Sequence, residues 1–282
     1  MIDAAAYELL TIGHEGGVTV ATVDAPPMNV MTIPLLGELA RLSHEIEHDA
    51  DTRVLVLRSA DPDFFIAHFD VAAILAMPGS TEPLDTPIEP STELNGFHAM
   101  CERFRTGSTV TIAEIAGRVG GGGAELSASF DMRFGDVDRF VLNQMEVPLG
   151  ILPGGSGTQR LPRLVGPGRA AEIVLGGVDV DGPTAADWGW LNRALPGDEL
   201  RTHVDALASR IAGFPSDAVR LAKRSLLNAA GDLTPGLLAE SDLFAQTLHT
   251  QDARDRMRRF LDEGGQTREV ELRVAEVTTD WT

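Results

Sequence analysis

Hydrophobic and polar positions follow two different periods along the first part of the chain. Residues 18–23 are rich in β-branched side chains and end at the turn-forming run D-A-P-P, which predicts a strand. After Thr32, a candidate helix cap, apolar residues recur at helical spacing from Leu35 to Ile46 with charged residues between them. Residues 54–57 form a continuous apolar run, which is typical of a strand buried on both faces. The pattern predicts strands that alternate with helices.

The second half of the chain changes from strands to helices. A strand over 109–116 leads into a glycine run, a helix follows from Ala124 to about Phe130, and two short strands lie around 132–134 and 139–142. Helical spacing dominates from about residue 166 onward. We predict helices over 168–176, 184–189, 198–213, 216–230 and 236–262. This order favours an α/β core over residues 1–197, followed by a smaller helical region over 198–282.

Two segments lack a regular pattern. Residues 77–95 contain several prolines, which interrupt both helices and strand ladders. We predict a mobile surface loop there, a possible lid over a site. The last twenty residues carry several charges, and we expect them to be poorly ordered or bound to a partner.

The charge balance narrows the classes of partner. The 282 residues include 42 acidic and 23 basic side chains, a net charge of −19, which disfavours nucleic acids and anionic membranes. The single cysteine, Cys101, excludes an intrachain disulfide and a cysteine-based zinc cluster. The acidic N-terminus argues against a signal peptide, and no apolar run approaches the ~18 residues that span a bilayer. We expect a cytoplasmic protein with no metal site and no nucleic-acid or membrane partner.

Four consecutive glycines at 120–123 come just before Glu125. The run does not fit the G-x-G-x-x-G dinucleotide pattern, and the glycine-rich segment at 150–156 lacks the lysine of a phosphate-binding loop. Residue 158 is threonine, so a G-x-S-x-G nucleophile elbow is also excluded. Amides at a helix start can form an oxyanion hole beside Glu125, where the helix dipole would favour the ionised carboxylate. An ordinary glycine-rich turn with a first-turn acid remains the alternative.

Several motifs occur in a fixed order along the chain. They are P-P-M-N-V-M at 26–31, F-I-A-H-F-D at 65–70, G-R-V-G-G-G-G-A-E at 117–125 and L-N-R-A-L-P at 191–196. The longest is N-Q-M-E-V-P-L-G-I-L-P-G-G-S-G-T-Q-R-L-P-R at 143–163. Over roughly residues 15–262 they resemble the crotonase (enoyl-CoA hydratase/isomerase) family. The family's patterns at the second and the longest of these motifs are F-x-A-G-A-D and G-Q-P-E-x-x-L-G-x-x-P-G-x-G-G-T-Q-R-L-P-R.

The resemblance implies a crotonase-like spiral of ββα units with a helical C-terminal region for trimerisation, as a homotrimer or homohexamer. It implies an enoyl-CoA or acyl-CoA thioester as the substrate, coenzyme A being part of that substrate and no separate cofactor being needed. Matched motif by motif, the oxyanion amides belong to Phe69 and Gly122, and the catalytic carboxylates to Glu125 and Glu146. The resemblance also implies substrate or CoA contacts by Ala67, His68, Asp70, Gly121, Pro153, Gly154 and Lys223.

Two of the chain's departures from the family pattern concern the contacts to the substrate. His68 and Phe69 stand where the family has small residues, so we expect Phe69 to reshape the acyl pocket. His68 is either a pocket base or a packed, hydrogen-bonded imidazole. The C-terminal helix ends in an acidic, glycine-rich stretch where the family has lysines. Candidates for the CoA phosphates are therefore the basic residues Lys223, Arg224, Arg258 and Arg259.

The predicted function is hydration of an enoyl-CoA. Water addition needs one carboxylate that takes a proton from water and one carboxylic acid that supplies a proton to carbon. Two neighbouring glutamates titrate as a pair, so neither role is assigned to one of them. The alternatives are other crotonase chemistry (an isomerase, an acyl-CoA hydrolase or a dehalogenase) and a non-catalytic scaffold of the same fold.

Overall fold

The computed structural model describes residues 2–77 and 91–279, so most of the loop predicted at 77–95 lies outside the described residues. A short 3₁₀ helix at Ala4–Ala6 precedes the first strand. The strands are β1 (Leu10–Glu15), β2 (Val18–Val23), β3 (Val54–Ser59), β4 (Phe64–Ile66), β5 (Val110–Ile115), β6 (Arg118–Gly120), β7 (Met132–Asp136), β8 (Val141–Asn143), β9 (Val180–Asp181) and β10 (Arg193–Leu195). The helices before residue 190 are α1 (Ile33–His48), α2 (Val71–Ala76), α3 (Gly96–Thr106), α4 (Gly121–Ser127), α5 (Gly157–Val165), α6 (Pro167–Gly176) and α7 (Gly182–Trp188). The later helices are α8 (Gly197–Ala212), α9 (Ser216–Ala230), α10 (Thr234–Leu248), α11 (Gln251–Asp262), α12 (Arg268–Glu271) and α13 (Val274–Thr279).

The strands form two sheets, and the chain adds strands to both of them as it proceeds. The larger sheet has the order β1-β2-β3-β5-β7-β10, and the smaller sheet has the order β4-β6-β8-β9. Neighbouring strands are parallel except for β1 against β2 and β9 against β8. The pairs β3–β4, β5–β6 and β7–β8 each give one strand to each sheet before the chain enters a helix. The predicted α/β spiral of strand–strand–helix units is therefore confirmed.

Strand β3 shows why the apolar runs lie in the interior. Leu55 and Leu57 pack on one face into the main core, which also receives the apolar side of α1. Val54 and Val56 pack on the other face against α8, around Val204. A parallel strand that is covered on both sides needs apolar residues at every position, as the sequence predicts. Because α8 covers the sheet, the helical region begins with a core-packing helix; the boundary at 197/198 stays a prediction.

The C-terminal part differs from the sequence prediction in two respects. The single helix predicted over 236–262 is wrong, because the chain breaks after α10 and Thr250 caps a new helix by accepting from the Ala253 amide at 3.1 Å. The expectation of a poorly ordered tail is also wrong for residues 263–279, whereas the alternative of a partner-bound tail stays a prediction. This segment forms α12 and α13, whose Val270 and Val274 pack with Phe260 in a cluster of the same chain. Among the described helices, none is long and apolar enough to cross a membrane.

Candidate active site

The predicted glycine run lies where β6 enters α4. The helix begins at Gly121, three residues earlier than the sequence pattern predicts, and Gly121 has a φ of +41°. A Cβ atom on Gly121 would stand 2.8 Å from Glu146 Oε1, and one on Gly123 would stand 2.4 Å from the Ile66 carbonyl oxygen. Glycine is needed here because neighbouring atoms approach the backbone closely. As the second residue of α4, Gly122 has an amide with no intrahelical acceptor.

The Phe69 amide lies beside Gly122. The carbonyl oxygen of His68 accepts from the Met31 amide at 2.8 Å, and the Asp70 amide donates to the Met31 carbonyl at 3.1 Å. Because a trans peptide points its C=O and N–H in opposite directions, the Phe69 amide faces away from Met31. A Cβ atom on Gly122 would stand 3.5 Å from the Phe69 nitrogen. Within the described residues neither of these two amides has a hydrogen-bond acceptor.

Glu125 is buried, with 4% of its surface exposed. It is the fifth residue of α4, and its Oε1 accepts from the amides of Gly155 and Gly157, each at 2.8 Å. Burial raises the pKa of Glu125 well above its usual range, and the charges of Glu146 and Glu240 raise it further. The expectation that the helix start favours the ionised form is therefore wrong. Glu125 lies beyond the first turn, and burial outweighs the two amide bonds.

Glu146 lies in the turn after β8 and is also buried, with 8% of its surface exposed. When the Gln144 amide is oriented so that both of its ends are satisfied, its nitrogen donates to Glu146 Oε2 at 2.8 Å. Burial raises the pKa of Glu146 to about 7, and the charge of Glu240 adds to this rise while the His68 charge opposes it. The two predicted glutamates are thus buried together, and burial raises the pKa of each, which favours their protonated forms.

A third buried carboxylate, Glu240, holds the loop that binds Glu125. Between the two amides that donate to Glu125, the Ser156 amide donates to Glu240 Oε1 at 2.5 Å. The Thr158 amide donates to Glu240 Oε2 at 2.9 Å, and Thr158 Oγ1 donates to the same oxygen. His98 Nε2 lies 3.2 Å from Glu240 Oε1. Successive amides of one loop therefore bond alternately to Glu125 and Glu240.

Glu240 is a residue of the site that the sequence motifs do not predict. It carries no motif, and its partners lie more than 80 residues away along the chain. The available signal is its place in α10, where Leu237 precedes it by three residues and Phe244 follows it by four. An acid on an otherwise apolar helical face is a buried group that needs partners.

The other motif residues surround these groups with different local roles. His68 is 2% exposed, and both of its ring nitrogens are hydrogen bonded. Asp70 caps α2 by accepting from the Ala72 amide at 2.9 Å. Three further predicted contact residues pack tightly on elements of the site: the Ala67 carbonyl against Gly120, Pro153 against Gly157 and Gly154 against Phe244.

Lys223 is not brought to this site. Its ammonium group is buried and donates to the carbonyl oxygens of Phe104 and Thr109 at 3.3 and 2.7 Å. It also forms an ion pair with Asp131 at 2.8 Å. Burial lowers the pKa of Lys223, although the Asp131 charge opposes this. All three N–H donors of the ammonium group are thus engaged by protein oxygens, so the geometry gives no support to a CoA contact by Lys223.

Residues 13–267 match the family model described as enoyl-CoA hydratase/isomerase. The chain belongs to the enoyl-CoA hydratase/isomerase family. A short-chain-enoyl-CoA hydratase of Clostridium acetobutylicum is 30% identical over 251 residues, which cover 88% of this chain and 92% of the relative. A solved structure of a candidate enoyl-CoA hydratase from Streptomyces avermitilis is 37% identical with a TM-score of 0.86, covering 97% of this chain and 98% of the other. The solved enoyl-CoA hydratase of Bacillus anthracis is 28% identical with a TM-score of 0.70, covering 91% and 97%.

Membership of the enoyl-CoA hydratase/isomerase family confirms the predicted resemblance, the crotonase fold and the prediction that the chain is an enzyme. The match includes all the motifs that carry the two amides and the two predicted glutamates. It ends at residue 267, so Glu271 and the helices α12 and α13 lie outside the matched residues.

Proposed function

We propose that this enzyme adds water across the 2,3 double bond of an enoyl-CoA thioester. One observation carries the proposal: the amides of Phe69 and Gly122, which have no acceptor among the described residues, lie side by side next to two buried glutamates, and the charge of Glu146 acts on Glu125. Paired amides suit the oxygen of a thioester as it becomes an enolate. Paired carboxyl groups suit the two proton transfers that hydration requires.

The reaction balances with one proton between Glu125 and Glu146. The ionised carboxylate takes a proton from water while the water oxygen bonds to C3 and the C2=C3 electrons move toward the thioester carbonyl. The neutral carboxyl group then gives its proton to C2, and the product is a 3-hydroxyacyl thioester. Fixed amide donors in a dry site stabilise the enolate oxygen, and a single such donor is worth about 3 kcal/mol of barrier. No group beyond the coenzyme A of the substrate is needed for these steps.

The presence of both Glu125 and Glu146 supports hydration rather than isomerisation. Isomerisation shifts the double bond by moving a proton and adds no water. The resemblance also supports a homotrimer or homohexamer as the working assembly, with acyl-CoA as the ligand.

The test follows the absorbance of a conjugated enoyl-CoA. We expect the wild-type enzyme to remove it, and Glu125→Gln and Glu146→Gln each to lower kcat by about 100-fold or more, since each removes a proton-transferring group. Glu47→Gln, an exposed change on α1, is the control and should keep full activity. Unchanged rates in both glutamine variants, or conversion of a 3-enoyl-CoA to the conjugated isomer without hydration, would overturn the proposal.

A further inference from the structure

The His68 side chain makes contacts that neither the motif nor the proposed chemistry requires. Its Nδ1 lies 2.7 Å from the Phe69 carbonyl oxygen, and its Nε2 lies 2.9 Å from Glu271 Oε1 on α12. A carbonyl oxygen only accepts, so Nδ1 carries a hydrogen. The side chains of His68 and Glu271 are each 2% exposed, so this contact is fully desolvated.

The surroundings of Glu271 favour its ionised form. The Gln266 amide donates to the same oxygen, Oε1, at 2.8 Å, and a hydrogen bond from an amide favours the charged carboxylate. With a carboxylate opposite Nε2, both ring nitrogens of His68 are donors and the imidazole carries a positive charge. Although burial alone would lower the pKa of His68, the Glu271 charge and hydrogen bond raise it. The same His68 charge lowers the pKa of Glu271 against the effect of burial.

The His68–Glu271 pair lies where it can act both on the Phe69 amide and on Glu146. The His68 carbonyl is held by Met31, and the His68 ring holds the Phe69 carbonyl, so both peptide groups around the Phe69 amide are fixed. The tail holds the same segment from the other side, because Gln266 Oε1 accepts from the Val71 amide at 2.6 Å. A Cβ atom on Gly121 would stand 3.0 Å from His68 Cβ and 2.8 Å from Glu146 Oε1, so a cation at His68 lies close enough to Glu146 to act on its charge.

We propose that His68 is a positioning residue, which forms a buried ion pair with Glu271 that fixes the Phe69 amide and favours the ionised form of Glu146. The effect on catalysis rests on the proposed function. The His68–Glu271 ion pair does not depend on that function. The groups that face Glu146 are His68 from the segment after β4, Glu125 on α4 and Glu240 on α10. The charged groups that act on the His68–Glu271 pair are Glu146 and Arg118, which lies on β6.

The first arm of the test reads the ion pair without any enzyme assay. In protein labelled with ¹⁵N-histidine, the His68 signals are assigned by their loss in His68→Gln. We expect both ring nitrogens to carry protons at about pH 8, where a free histidine with a pKa near 6.5 is neutral. A ring with one unprotonated nitrogen at that pH would overturn the proposal.

The second arm measures how kcat/KM for an enoyl-CoA falls toward acid pH. We expect His68→Gln and Glu271→Gln each to move the midpoint of this fall upward by about one pH unit, since the cation that favours ionised Glu146 is lost. Glu269→Gln removes an exposed charge from the same helix and should leave the midpoint unchanged. A lower melting temperature with an unmoved midpoint in both test variants would reduce the pair to a structural contact and overturn the proposal. If the wild type hydrates no enoyl-CoA, the proposed function fails. The NMR measurement still shows whether the His68 ring is protonated and the ion pair exists.

Discussion

At the scale of single residues, the site depends on where protons are held. Glu125 accepts two amide hydrogen bonds, which favour its charge, and yet its pKa rises because it is buried beside other carboxylates. Glu146 is buried as well, and the nearby cation at His68 limits the rise in its pKa. The two glutamates therefore titrate as a coupled pair, and the protonation state of one depends on that of the other.

We predict that hydratase activity falls as the pH drops below about 7. The pKa of Glu146 is raised to about 7, so acid protonates it there, and the pair then lacks the carboxylate that accepts a proton from water. The measurement is kcat/KM for an enoyl-CoA as a function of pH. A fall that begins only at the ordinary glutamate pKa, about 4.3, would contradict the account of burial.

Lys223 gives a prediction about stability rather than binding. Lys223→Met leaves the partly buried Asp131 without its ion pair and leaves two carbonyl oxygens without a donor. We expect the free energy of unfolding to fall by about 3 kcal/mol, with little change in affinity for acetyl-CoA. Urea denaturation and calorimetric titration measure the two quantities.

Arg224→Met, an exposed change at the neighbouring position, is the matched control for Lys223→Met and should alter stability little. A large loss of CoA affinity in Lys223→Met at unchanged stability would restore the contact suggested by the sequence.

At the scale of elements, the site is assembled from the segments that follow β4, β6 and β8, three neighbouring strands of the smaller sheet. The loop before α5 reaches α4 through Glu125 and α10 through Glu240, so these three elements are held by one run of backbone amides. Gly155 makes this possible, because a Cβ there would stand 2.5 Å from Glu125 Oε2. The geometry of Glu125 is thus set by a helix far away in the sequence.

We predict that Glu240→Gln lowers kcat by about tenfold with little change in KM. The amides of Ser156 and Thr158 lose a charged acceptor, so the loop holds Glu125 less firmly. Loss of the Glu240 charge also lowers the pKa of both catalytic candidates, so the acid fall in activity should move to lower pH. This shift is opposite in sign to the one expected for the His68 variants.

Asp242→Asn, on the same helix but bonded to Ser91, is the control for Glu240→Gln and should leave both kcat and the pH profile unchanged. Wild-type kcat and pH dependence in Glu240→Gln would show that the loop keeps its geometry without this carboxylate.

The elements that the sequence predicted well are those with a strong hydrophobic period. Helix α1 and strand β3 lie within two residues of their predicted bounds, because burial on one side or on both leaves a clear pattern. Strands β4 and β9 span only three and two residues, too few to show a period, and they exist because a neighbouring strand offers hydrogen bonds. The break between α10 and α11 was missed because a threonine cap leaves the helical spacing almost intact.

The site was predictable only where motifs carry it. Glu125 and Glu146 were found through their motifs and lie together, as the resemblance implies. Glu240 and Glu271 were not found, because each becomes important through a contact with a residue far away in the sequence. The helical pattern of α10 can mark Glu240 as a buried acid, but it does not show which distant residues Glu240 contacts.

At the scale of the whole molecule, charge opposes the proposed substrate. The chain has a net charge of −19, and coenzyme A carries several negative phosphate charges. Repulsion between exposed charges weakens with ionic strength, since the screening length falls to about 10 Å at 0.1 M salt. The global field should therefore hinder binding most at low salt.

We predict that KM for an enoyl-CoA falls a few-fold as salt is raised from about 10 to about 150 mM. The control substrate is the matching enoyl-pantetheine, which lacks the nucleotide phosphates, and its KM should not follow the salt concentration. A rising KM for the CoA thioester would instead indicate that a local basic patch dominates its capture.

The most direct measurement is a crystal structure of the Glu146→Gln variant with an enoyl-CoA bound. We predict that the thioester oxygen lies within about 3.2 Å of the amide nitrogens of both Phe69 and Gly122, with the double bond between Glu125 and position 146. A thioester oxygen that bonds to neither amide, or an acyl chain that lies away from the two carboxyl positions, would contradict it.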